Sequence, residues 1–300
     1  MTVARPRCST EARSRKDQLA ATASHIRNWL LLEQPGAWGA DALAESRLPR
    51  KVARRLHEEG HRLGIRIVLI RKPDRRPEGR NVYLAHTGGT RTLPLLLHGV
   101  LDDPASLLEF DLAALTRGQP VGFGARADDP VFLVCTNGRH DVCCAERGRP
   151  LYRALAEEFP DQTWECSHIG GDRFAGNIVC FPHGVYFGWV EDLEVVAVAR
   201  SYADGILDLV RYRGRASWSI DIQAAEHFVR MKHGIRGVET LTPERRLVRG
   251  DQTEVTFRLP DGRRHTAVVR RIEEGPSLLT CTATEPAPRR RFELVSLVSA

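Results

Sequence analysis

The chain lacks any stretch approaching the roughly 18 consecutive apolar residues that a membrane-spanning helix needs. Its apolar runs are short, as in Trp29–Leu32 and Leu93–Leu97. The opening residues, Met1-Thr-Val-Ala-Arg-Pro-Arg-Cys8, carry charge but no apolar signal-peptide core, so a cytoplasmic protein without membrane association is expected. Aromatic residues are sparse at 7%, and none is interleaved within the basic clusters Arg289-Arg-Arg291 and Arg71–Arg80. Bases have nothing to stack on there. The net charge of +6 therefore reads as a solvated, arginine-rich surface, and no nucleic acid is expected as a partner. A Cys-x-x-Cys pair is missing too, which removes the usual thioredoxin-type redox motif. No pair of carboxylates stands out for glycoside hydrolysis.

What the chain does have is a normal globular composition, 42% hydrophobic and 27% charged, over 300 residues, enough for one large or two modest domains. It also has seven cysteines. Five of them, Cys135, Cys143, Cys144, Cys166 and Cys180, fall in one window, while Cys8 and Cys281 stand near the ends and read as spectators. In a reducing compartment that clustering favours metal or redox chemistry over structural disulfides.

The periodicities outline an α/β protein. Gln18–Trp29 reads as a helix, as does Pro49–Leu63; Ile65–Ile70, Asn81–His86 and Thr92–Leu97 read as strands, with Arg71–Arg80 as a polar loop. Val131–Val134 is a buried strand running straight into Cys135. A helix is expected from Pro150 through Phe159, leaving Thr136–Arg149 as a long functional loop. Thr163–Ser167 continues as a strand, and Ile178–Phe181 with Val185–Val190 as a hairpin. Helices over Ala203–Tyr212 and Asp221–His233 follow, then strands at Thr253–Leu259 and His265–Arg271, with Leu278–Ala283 and Phe292–Val298 as candidates to join them. The fold class expected is two thioredoxin-like units, the first degenerate (1–120) and the second carrying the site (125–200), followed by an α+β C-terminal section (203–300).

Chemistry concentrates in the second unit. Cys135 lies at the carboxyl end of a buried strand, Cys144 follows after eight intervening residues, and His168 and Asp172 leave the next strand with Gly170 and Gly171 between them. Four ligand-type residues in two pairs suit a metal centre, and the glycines let backbone approach closely. Cys180 reads as hairpin core, Asp141 as a cap for its loop, and His140 and His183 show no spacing that demands a role.

The segments Cys135-Thr-Asn-Gly-Arg-His-Asp-Val-Cys-Cys144 and Trp164-Glu-Cys-Ser-His-Ile-Gly-Gly-Asp-Arg-Phe-Ala-Gly-Asn177 resemble the sucrase/ferredoxin-like family, the thioredoxin-like ferredoxins. Trp29-Leu-Leu-Leu-Glu-Gln-Pro-Gly-Ala-Trp-Gly39 and Gln223-Ala-Ala-Glu226 extend the resemblance over most of the chain. Fungal relatives hold a 2Fe–2S cluster with two cysteines and the two histidines of a His-x-Gly-Gly-His motif. The resemblance implies Cys135, Cys144 and His168 as ligands here, with Asp172 standing where the second histidine would be. Cys166 or Cys143 are the alternative fourth ligands. It further implies an electron-transfer protein with a redox partner it does not identify. Two other readings stand beside it: a thiol–disulfide protein using the vicinal Cys143 and Cys144, and a structural zinc site of Cys135, Cys144, Cys166 and His168.

Overall fold

The computed structural model describes residues 6–73 and 78–300; part of the Arg71–Arg80 loop lies outside the described residues. In chain order the elements are α1 (Cys8–Ser14), β1 (Asn28–Glu33), α2 (Ala42–Glu45), α3 (Arg50–Leu63), β2 (Ile65–Arg71), β3 (Arg80–His86), β4 (Leu95–Leu101), α4 (Leu112–Thr116), β5 (Ala125–Arg126) and β6 (Val131–Cys135). They continue with α5 (Val142–Glu158), β7 (Thr163–Cys166), β8 (Ile178–Phe181), β9 (Val185–Phe187), α6 (Asp192–Ala203), β10 (Tyr212–Arg215) and α7 (Ile220–His233). The chain ends in β11 (Thr242–Arg249), β12 (Gln252–Arg258), β13 (Arg264–Ser277) and β14 (Ala287–Ser299).

The result is a mixed α/β fold with one large curled sheet, ordered β10-β9-β8-β6-β7-β2-β1-β3-β4-β5, and a separate antiparallel sheet β11-β12-β13-β14. Within the large sheet the same pattern occurs twice. A strand, a helix and a parallel strand are followed by two antiparallel strands, giving the orders β2-β1-β3-β4 and β7-β6-β8-β9. The halves join where β2 runs antiparallel to β7, pairing Ile70 with Cys166 and Arg71 with Glu165. An ion pair of 2.8 Å between the Arg71 and Glu165 side chains reinforces that seam.

Strands buried on both faces explain the near-continuous apolar runs. Alternate residues of β1 point to opposite cores: Trp29 and Leu31 pack with Leu133, Cys135, Trp164 and Cys166, whereas Leu30 and Leu32 pack with Val52 and Leu56 of α3. In the second half Phe132 and Val134 pack under Leu151 and Leu155 of α5, with Cys180 in the same core as expected. The cysteines at the β6 and β7 ends thus sit in the core shared by the two halves.

The C-terminal sheet is fastened through α7. Gln223 donates to the carbonyls of Ala23, Arg215 and Trp218, while fully buried Glu226 pairs with Arg230 at 2.7 Å and accepts from Tyr212 Oη at 2.8 Å. The Gln-Ala-Ala-Glu run is a docking key whose two alanines let the helix approach.

Three expected elements differ. Residues 18–27 are not helical; Thr22 and Ile26 instead donate to the carbonyls of Arg213 and Ala216, so backbone pairing with the β10 region wins over local propensity. The helix placed at Ala203–Tyr212 lies earlier, at Asp192–Ala203, because Glu191 and Glu194 form a capping box and Gly205, at φ 75°, ends it. Leu278–Ala283 is not a strand, and β14 begins at Ala287.

Candidate metal centre

Two loops at the carboxyl ends of β6 and β7 build the site. The first is shorter than the sequence suggests. The helix starts at Val142, eight residues before Pro150, because Asp141 caps it: its Oδ1 accepts from the Cys143 amide at 2.8 Å. Pro150 is an interior residue of α5, costing that helix one hydrogen bond. Cys144 therefore lies in the first helical turn, where the helix dipole favours negative charge. A turn later Gly148 lets the helix rest directly on the strand end, for a Cβ there would lie 2.0 Å from the Cys135 carbonyl oxygen.

The second loop, His168–Asp172, is held by its carbonyls. Arg66 donates to His168 O at 2.9 Å, Ser24 and Tyr186 to Ile169 O at 3.1 Å each, Arg213 to Gly170 O at 3.1 Å and Asn177 to Gly171 O at 2.8 Å. Gly170 and Gly171 have φ of 100° and 83°, a region other residues rarely enter. A Cβ on Gly171 would also meet the Arg213 guanidinium at 2.2 Å. Arg213 is fully buried and also donates to Asn177 Oδ1 at 2.8 Å and Thr22 O at 2.6 Å. Burial pulls its pKa down to about 10, so it keeps its charge beneath the loop at neutral pH.

The two loops bring four side chains together. The ligand atoms of Cys135, Cys144 and His168 lie within 4.8 Å of one another, and those of His140, His168 and Asp172 form an overlapping group. Asp172 Oδ1 joins them: it lies 3.0 Å from His168 Nδ1 and accepts from Cys144 Sγ at 3.2 Å. Cys166, opposite Cys135 in the β6–β7 register, completes a row of three buried thiols. Hydrogen bonds from Cys144 and Cys166 hold the Cys135 thiol well below its ordinary range, against its burial, whereas burial and the Cys135 thiolate push Cys166 up. Burial disfavours charge on His168, but the neighbouring Asp172 carboxylate and Cys135 sulfur prevail and raise it to about 9. Although buried and 3.0 Å from Asp172 Oδ1, His168 Nδ1 lacks an aligned hydrogen-bond partner. Two buried thiols, an imidazole nitrogen without an aligned partner and a carboxylate against that imidazole and Cys144 fit a metal, which would displace the thiol and imidazole protons.

The sequence also missed participants. His140 stacks on His168 with ring centroids 3.7 Å apart, and its Nε2 is 3.7 Å from Asp172 Oδ2. Asn177, at the end of the motif's second half, and Arg213, beyond it, brace the loop. Cys143 points away from Cys144 and gathers instead with Cys8, Cys281 and Asp141. The two end cysteines, far apart in sequence, thus meet in space. The vicinal thiols belong to different clusters, separated by the turn of the helix.

Three comparisons bear on this geometry. The sucrase/ferredoxin-like family profile matches residues 19–214, which include both strand patterns and both loops. Over 98 residues the chain is 31% identical to the "Altered inheritance of mitochondria protein 32" of the yeast Meyerozyma guilliermondii, covering 29% of this chain and 34% of that protein. The chain thus spans about a third of that relative's length. No solved structure gives a significant match. With both ligand loops inside the matched region and that region covering well over half of the sequence, the chain belongs to the sucrase/ferredoxin-like family.

Proposed function

We propose that the protein is an electron carrier holding a 2Fe–2S cluster through Cys135, Cys144, His168 and Asp172. The observation that carries this reading is the meeting of Cys135, Cys144 and His168 within 4.8 Å, with Asp172 in contact with Cys144 and His168. Two thiols and two harder donors in separate loops suit a cluster with unlike irons. Bound there, the cluster would supply one-electron transfer. The chain's own residues would do the rest. Burial of Cys135 and Cys144 excludes water, the α5 N-terminus and buried Arg213 offset negative charge, and the braced loop fixes His168 and Asp172. Partial exposure of His168 puts it at the edge of a groove of about 610 Å³ that also includes His57, His61, Arg66 and His140. That edge is where a redox partner would dock.

Support for two thioredoxin-like units comes from the repeated strand order. The first is degenerate, because β1 ends on Glu33, bonded to Asn81, where β6 ends on Cys135. A single zinc ion is the rival reading, favoured by the place of Cys166 opposite Cys135 in the strand register, which would offer a three-thiol and one-imidazole set. Iron and acid-labile sulfide analysis of protein purified without oxygen separates the two. About two of each per chain is the expected result. One zinc lost on Cys135→Ser, with no sulfide, overturns it.

A further inference from the structure

Two thiols from opposite ends of the sequence, Cys8 and Cys281, converge on a thiol and a carboxylate at the start of α5. Cys8 opens α1, Cys143 is the second residue of α5, Cys281 lies between β13 and β14, and Asp141 caps α5. Their ligand atoms all lie within 4.8 Å of one another. Cys143 Sγ is 3.6 Å from Cys8 Sγ and 3.3 Å from Cys281 Sγ, and the Asp141 oxygens are 3.7 and 3.9 Å from Cys8 Sγ. Cys8, Cys143 and Asp141 are buried and Cys281 partly so.

We propose that Cys8, Cys143, Cys281 and Asp141 form a tetrahedral Zn²⁺ site distinct from the centre between the β6 and β7 loops.

The distances identify the ligand class. Zinc binds sulfur at about 2.3 Å and carboxylate oxygen at about 2.0 Å, which in a tetrahedron places sulfurs about 3.8 Å apart and sulfur and oxygen about 3.5 Å apart. The two sulfur–sulfur separations, 3.6 and 3.3 Å, are shorter than these values and the two sulfur–oxygen ones, 3.7 and 3.9 Å, longer, each by about half an ångström or less. They are far longer than the ~2.05 Å of a disulfide, which would in any case leave one thiol over. The surroundings are those of bound thiolates. The Cys8 amide donates to Cys281 Sγ at 3.4 Å, and Ser9 Oγ donates to Cys143 Sγ at 3.3 Å. The Asp141 carboxylate is oriented by amides on both oxygens, from Cys143 at 2.8 Å and Cys281 at 2.6 Å. The bound site would hold three thiolates, one carboxylate and Zn²⁺ with a net charge of −2, any thiol protons passing to solvent. The α5 N-terminus and the guanidinium groups of Arg7 and Arg173, which lie in the field of these sulfurs, face that charge.

The consequence is a clamp. One ion would tie the N-terminal helix and the C-terminal sheet to the start of α5, next to Cys144. The inference needs no cluster at the other site, so the two can fail separately. The test is zinc analysis of the full chain purified without chelator, beside the Cys8→Ser/Cys281→Ser double variant. Wild type should hold about one zinc per chain, and the variant at least tenfold less with its iron unchanged. Zinc near zero in wild type overturns the proposal, as does zinc retained in the double variant but lost in Cys135→Ser. A Cys8–Cys143 or Cys143–Cys281 disulfide in anaerobically prepared protein does the same. Should the double variant not fold, Co²⁺ titration of Cys135→Ser protein decides. Thiolate-to-cobalt charge transfer with tetrahedral bands, saturating at one equivalent, supports the site, and their absence refutes it.

Discussion

Replacing Gly148 with alanine sets two effects of known sign against each other. Inside a helix alanine is favoured over glycine by up to about 1 kcal/mol, so on propensity alone the variant should be more stable. The added Cβ, however, would sit 2.0 Å from the Cys135 carbonyl oxygen and 3.3 Å from Thr136 Cγ2. Non-bonded heavy atoms settle at roughly 3.5 Å, so α5 and the end of β6 must part by more than about 1 Å. The obstacle is backbone oxygen, which cannot rotate aside, and overpacking of this kind costs about 1–3 kcal/mol. The clash should win, leaving Gly148→Ala less stable by about 1–2 kcal/mol. Because Cys144 lies one turn upstream, the same displacement should at least halve metal content. Equilibrium urea unfolding with an unchanged m-value measures the first effect and metal analysis the second. Gly275→Ala in β13 is the control, since nothing lies within 4 Å of its Cβ position, and it should stay within about 0.5 kcal/mol of wild type. Wild-type stability or better in Gly148→Ala, with full metal content, would refute the close approach of helix and strand.

Arg213→Met removes the donor to Gly170 O, Asn177 Oδ1 and Thr22 O, and should cost about 3 kcal/mol or more by urea unfolding, with metal content falling too; near-neutral stability would remove its bracing role. Asp172→His should raise the midpoint potential of the bound centre, because neutral imidazole replaces an anionic carboxylate, and an unchanged potential by redox titration would take residue 172 out of the ligand set. Acid stability should reflect His183, which burial and nearby Arg215 depress to about 4 despite Glu239, while its Nδ1 contacts Tyr202 Oη at 2.8 Å. A histidine depressed from about 6.5 to about 4 stabilises the fold fully above pH 6.5 and loses that contribution as pH falls to 4, roughly 3 kcal/mol in all. His183→Gln should flatten the pH dependence of unfolding in that window by up to one proton, and an unaltered slope would show that His183 does not titrate there.

Much of the fold was legible because its strands are buried on both faces and announce themselves as apolar runs, as at Val131–Cys135 and Ile178–Phe181. What escaped was set by partners far along the chain. Residues 18–27 look helical until Arg213 and Ala216 offer carbonyls to Thr22 and Ile26. Pro150 is a good first helical residue, but Asp141 supplies a cap eight residues earlier, and that Asp-x-Cys cap was the signal available for the true start. At the candidate centre the sequence put Cys135, Cys144, His168 and Asp172 in one region; the structure gathers the first three within 4.8 Å and sets Asp172 against Cys144 and His168. His140 could not be found from spacing, because its stacking on His168 arises from two loops meeting in space. The gathering of Cys8, Cys143 and Cys281 was hidden for the same reason, the first and last being 273 positions apart.

The proposed cluster takes two ligands from each loop, so one iron would bond Cys135 and Cys144 and the other His168 and Asp172. Mössbauer spectroscopy of protein carrying isotopically enriched iron tests it most directly, because each iron reports its own ligands. The oxidised protein should give two quadrupole doublets of equal area with different isomer shifts. A single doublet from equivalent irons, or the signature of an isolated iron without sulfide, would contradict it.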